Sequence, residues 1–169
     1  IDKGRGNAIK LLGRALRAAL AVSPGVQVAT LQGGSKRNAI PREAEALLLV
    51  PAAEVERLSA LATELTRKAL AELAPVEPGL EITLRPSTSS ATQVIARQQL
   101  DRILDALQAL PHGVLRMSSD LAGLVETSTN LATVTVEEGE LAIGTSQRSL
   151  IDSAKAEAIE GVRATMRLA

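Results

Sequence analysis

The sequence predicts an α+β fold in two layers, with a mainly antiparallel sheet and helices on one face. Three observations predict it. Helical stretches are separated by pairs of short strands rather than by single ones. Each helical stretch is apolar along one stripe only, so each needs one covered face. The order of elements also repeats, as αββαβ over residues 1–86 and αββα over 87–169. We therefore expect an internal duplication of αββα(β) units, two subdomains of one continuous domain.

Taken in order, residues 7 to 22 put Ile9, Leu12, Leu16 and Ala19 on one stripe. Ser23-Pro24-Gly25 stops that helix. Strands are expected over Val26–Leu31 and Ala44–Val50, with the polar segment Gly33–Pro41 between them. Pro51 then opens a second helix, since proline suits a first helical position. Val55, Leu58, Ala62, Leu65 and Ala69 share its inner face, and Glu64 and Lys68 pair on the outer one. Leu80–Leu84 alternates as a half-buried strand.

In the second half a helix runs to about Leu110, with Ile103, Leu104 and Leu107 inward, and Pro111-His112-Gly113 stops it. A polar connection leads to a strand ending near Val136. Glu138-Gly139 has the composition of a hairpin turn, and Leu141–Ile143 returns. The last helix starts near Leu150 and buries Ile151, Ala158, Val162 and Met166. Ser149 and Asp152 have capping-box spacing at its start. The second half lacks a closing strand, so more chain is expected beyond Ala169.

Composition excludes several classes. Hydrophobic residues reach 46% with no Phe, Tyr or Trp, so Leu, Ile, Val and Ala build the core. Nineteen cations balance nineteen acids, which argues against a nucleic-acid partner. Without aromatics there are no stacking platforms for single strands. There is no cysteine, which removes disulfides, thiol catalysis and cysteine-ligated zinc and fits a cytoplasmic protein. No apolar run reaches the ~18 residues of a membrane span. The chain opens at Ile1, without Met or a signal-like segment, and reads as a piece of a longer one.

The chemistry is expected where the glycines, cations and amides gather at strand ends. One place is Gly33–Pro41, with Asn38. The other pairs Glu126–Asn130 with Ser146–Ser149, carrying Asn130 and Arg148. Asn38 reads either as a hydrogen-bonding ligand or as a turn asparagine, and the turn is the commoner role. Arg148 reads either as a carboxylate fork or as a solvated strand end. His112, the one histidine, sits in a helix stop without partners for catalysis. One His, no Cys and no clustered carboxylates leave no metal site in the sequence. A hydrolytic centre cannot be assembled from these residues alone.

Five stretches carry a family resemblance. They are Asp2–Ala8, Gly33–Ala44, Pro111–Ser118, Val125–Leu131 and Arg148–Ser153. In that order they closely resemble the bacterial aminoacyl-histidine dipeptidases, or Xaa-His dipeptidases, of the zinc aminoacylase and carboxypeptidase superfamily. The resemblance runs from Ile1 to Ala169 and covers only the inserted lid domain of such an enzyme. It implies a catalytic domain on both sides of this segment, with two zinc ions whose ligands are not here. It also implies a dipeptide substrate, the parent's catalytic domain as partner, and room for a homodimer.

Residue by residue, Asn38 matches the asparagine of an Arg-Asn-Ala-Ile-Pro motif that reaches the substrate region. Arg148 matches the arginine of an Arg-Ser motif suited to the substrate carboxylate. Asn130, placed in the second half where Asn38 sits in the first, is a further substrate-binding candidate, and His112 stands where relatives often carry Asn. The rival reading is an α+β module that senses a small molecule or oligomerises, without catalysis.

Overall fold

A computed structural model describes residues 1–137 and 139–169. The first helix, α1 (Ala8–Val22), is started by Asn7, whose Oδ1 accepts from the backbone N–H groups of Ile9 and Lys10. Strands β1 (Gln27–Gly33) and β2 (Ala44–Leu49) pair antiparallel, with an irregularity between Val28 and Thr30. A short 3₁₀ turn over Ala52–Glu54 leads into α2 (Val55–Leu73). The second half runs α3 (Arg97–Ala109), β3 (Gly113–Met117), β4 (Val125–Glu137), β5 (Glu140–Ser149) and α4 (Asp152–Leu168).

The five strands of the described residues form one antiparallel sheet, with β4 as its spine. One edge of β4 pairs with β5 from Thr127 to Glu137. Its other edge is shared end to end: β3 takes the first half and β1 takes Val134–Val136. The two halves of the sequence thus meet in one sheet.

They also share one core. Ile9, Leu16 and Leu20 of α1 meet Val28 and Leu31 of β1, Leu100, Leu104 and Leu107 of α3, and Leu131, Val134 and Val136 of β4. Leu58 of α2 belongs to the same cluster, and Val162 of α4 packs against it. Among the described residues the helices therefore lie on the same side of the sheet, α2 packing on α1, as the one-sided stripes require. The expected α+β class, antiparallel sheet and single helical face are what the chain forms.

Several local expectations differ from the structure; among them Val55, Ile151 and Met166, expected to face inward, are exposed. Leu80–Leu84 keeps the alternating burial of a strand but joins no ladder. Thr66 of α2 explains this, because its hydroxyl accepts from Ile82 N–H and donates to Ile82 C=O. One side chain satisfies both backbone groups that a neighbouring strand would have used. Conversely, β3 lies where a polar connection was expected, so the second half runs αβββα where αββα was expected. Its residues are exposed on both faces after Gly113, so no alternation announced it.

The capping box does not form either. Ser149 Oγ accepts from Ile151 N–H and shares a hydrogen bond with Thr127 Oγ1, while Asp152 pairs with Lys155. At the expected hairpin, Glu137 pairs with Glu140 and Gly139 has φ 81°. Glu138 lies outside the described residues.

Candidate functional site

The polar segment after β1 is a loop with a tightly pinned base. Gly34 has φ 70°, and a Cβ there would fall 2.0 Å from the Ala132 carbonyl oxygen. Only glycine fits so close an approach. Gly34 N–H donates to Glu43 C=O, and Ala8 N–H donates to Pro41 C=O, tying the loop to the start of α1. Arg42 makes a two-pronged ion pair with Glu77, whose side chain is 8% exposed. That fork is the main reason the Glu77 carboxyl is held below the usual carboxylate range, with Arg5 and Gly6 N–H adding to it.

The apex is a turn closed by Ala39 N–H donating to Lys36 C=O, with Asn38 exposed at its third position. One further bond holds the apex. Asn130 Nδ2 of β4 donates to Ala39 C=O at 2.8 Å. The Asn130 residue is 8% exposed, and its Oδ1 is buried with no hydrogen-bond partner.

Strand alternation sets the face. Leu131 points into the helical core, so Thr129 and Thr127 share its side, and Asn130 and Ser128 point to the opposite one. Asn130 pairs with Ser146 and Ser128 pairs with Arg148. Arg148 is thus the diagonal neighbour of Asn130 on the helix-free face, a separation of roughly 7–8 Å in such ladders. It is exposed and makes no ion pair among the described residues. The register brings two of the sequence candidates, Asn130 and Arg148, side by side. The loop that carries the third, Asn38, is tied to Asn130 through the Ala39 carbonyl.

Near this end of the sheet, Glu126 is 9% exposed and accepts from Arg116 Nη1 at 3.4 Å and from Thr127 Oγ1 at 3.2 Å. His112 lies beyond the α3 end. Its Nδ1 accepts from Asn7 Nδ2 at 3.2 Å. Burial first, then the charges of Lys10 and the Ile1 amino group, push the imidazole below the usual histidine range. It is a neutral, half-buried side chain in a hydrogen-bonded corner. Among the described residues, no group of three or more His, Cys, Asp or Glu could hold a metal ion. The residues present therefore do not fit a metal centre. No helix among them is long and apolar enough to cross a membrane.

Sequence reasoning passed over Asn7, Arg42 and Glu77. Asn7 carried a readable signal, as an N-cap residue directly before an apolar-periodic stretch. Arg42 and Glu77 are 35 positions apart and carried none.

Residues 1–77 match the peptidase dimerisation domain family. The chain as a whole also matches a fragment of two dipeptidases. It is 39% identical over 155 residues, 92% of its length, to the cytosol non-specific dipeptidase of Escherichia coli (strain K12), of which it covers 32%. It superposes on the crystal structure of aminoacylhistidine dipeptidase from Vibrio alginolyticus with a TM-score of 0.90 and 36% identity. That match covers 98% of this chain and 34% of the other. The chain thus spans about a third of the length of these relatives.

Proposed function

We propose that the chain serves as the lid and interaction domain of a metal-dependent dipeptidase that hydrolyses Xaa-His dipeptides. The observation that carries this reading is the convergence of the Asn38 loop, Asn130 and Arg148 on the helix-free face of the sheet. A dipeptide offers few handles, and its carboxylate is the strongest. Arg148, exposed and without an ion pair among the described residues, suits that carboxylate through a two-pronged bond. Asn38, at the exposed turn, suits the reacting carbonyl, where its amide would steady the developing oxyanion. Asn130, bonded to the Asn38 loop and diagonal to Arg148 in the ladder, has one unused acceptor.

The divalent metals, zinc in our reading, belong to a catalytic domain outside this segment, and so does the water-activating chemistry. This segment alone should be inactive. Closure of such a lid would exclude water from the substrate. We place the parent in the cytoplasm, and read residues 1–86 and 87–169 as two halves of one lid. The description of the matched family favours a homodimer as a further role of the same domain.

The test is kinetic, in the full-length parent. Arg148→Ala should mainly raise KM for an Xaa-His dipeptide. Asn38→Ala should lower kcat by on the order of 100-fold with a smaller effect on KM. Wild-type parameters for both variants in a well-folded parent would return Asn38 to a plain turn role and Arg148 to a solvated strand end.

A further inference from the structure

We infer that Asn130 is a positioning residue, whose amide holds the Asn38 loop in its working conformation. The inference rests on the reading of Asn38 given above and deepens it. The base of the loop is held by Gly34, Pro41 and Arg42. Its apex, Lys36 to Ala39, is exposed and its own turn bond is long, at 3.3 Å. Among the described residues, the 2.8 Å bond from Asn130 Nδ2 to Ala39 C=O is the side-chain contact that fixes this apex to the sheet. It attaches at the carbonyl of the residue after Asn38, so it governs where the Asn38 side chain points.

A second observation gives Asn130 its orientation. Its Oδ1 is buried without a partner. Turning the amide over would set that oxygen against the Ala39 carbonyl and lose the one bond the side chain makes. A buried unpaired acceptor is a net cost. The donor half is therefore what this side chain contributes to the fold. An aspartate at the same place has no hydrogen to offer.

The experiment uses the full-length parent enzyme with Asn130→Ala and Asn130→Asp, the second nearly isosteric and lacking the donor. Hydrogen–deuterium exchange of peptides covering 35–40 should be faster by about tenfold in both, which is what losing one net hydrogen bond permits. The kcat should fall roughly tenfold with KM changed less than about twofold. Combined with Asn38→Ala, neither variant should lower kcat further, because Asn130 acts through Asn38.

Unchanged exchange over 35–40 would overturn the inference. A loss that falls on KM and adds to that of Asn38→Ala would also overturn it, since Asn130 would then touch substrate directly. If Asn38→Ala alone keeps wild-type kcat, the reading of Asn38 fails. The exchange result still decides whether Asn130 orders the loop.

Discussion

The Asn7 side chain joins the start of α1 to the spine of the sheet: its Nδ2 donates to Leu131 C=O at 2.8 Å. The same amide accepts two backbone N–H groups through Oδ1 and reaches His112 through Nδ2. With 4% of the residue exposed, both ends of the amide are satisfied in the interior. Asn7→Ala removes an N-cap and leaves the Leu131 carbonyl without its side-chain donor. The expected cost is about 2–4 kcal/mol, read as a lower urea midpoint with an unchanged m-value.

The corner at His112 should make stability depend on pH. Asn7 Oδ1 is committed to backbone donors, so its nitrogen faces His112 and the imidazole must accept there as the neutral form. Protonation would set N–H against N–H₂. The folded-state pKa is depressed, so the unfolded chain binds the proton more readily. This stability is fully present above the ordinary histidine range and is lost as pH falls through it. Urea midpoints measured between pH 8 and pH 5 should decline in the native chain and decline less in His112→Asn.

The ion pair of Arg42 and Glu77 has its own signature. Glu77 is buried and Arg42 half-exposed, so removing the cation leaves a carboxylate short of a partner. Arg42→Met should cost about 1–3 kcal/mol. The Glu77 carboxyl is held below its ordinary value of 4.5, so the pair stabilises above that pH and the contribution disappears as pH falls below it. Acid titrations of both proteins should converge at low pH. Curves that stay parallel would show that the pair contributes little.

Two glycines give a matched contrast. Gly34→Ala puts a Cβ 2.0 Å from a backbone oxygen at φ 70° and should destabilise by about 2–4 kcal/mol. Gly79→Ala meets nothing within 4 Å and should be neutral or slightly stabilising. Thermal melts of the two variants give the comparison directly.

The sequence made the helices and the first hairpin legible, because apolar periodicity at Ile9, Leu16, Leu58, Leu104 and Leu107 reports a covered face directly. It misplaced one strand in each direction. Leu80–Leu84 alternates without a ladder because Thr66 answers its backbone. Val114, Arg116 and Met117 pair in a ladder while exposed, so burial left no period to read. The candidate site was legible as residue types and not as an arrangement. Asn130 lies in mid-strand and Asn38 in a turn, so they are not matching places in two halves. They converge because the loop after β1 folds over β4. No local signal in either segment encodes that long-range contact.

The claim that this face reads a dipeptide carboxylate is tested most directly by comparing an Xaa-His dipeptide with its C-terminal amide in the full-length parent. The amide keeps the scissile bond and removes the charge that Arg148 would meet. The native enzyme should prefer the free carboxylate in kcat/KM by roughly 10- to 100-fold, the worth of a charge-assisted bond. Arg148→Ala should slow the dipeptide and leave the amide nearly unchanged, so that the preference collapses. An Arg148→Ala enzyme that keeps the full preference for the free carboxylate would contradict the account.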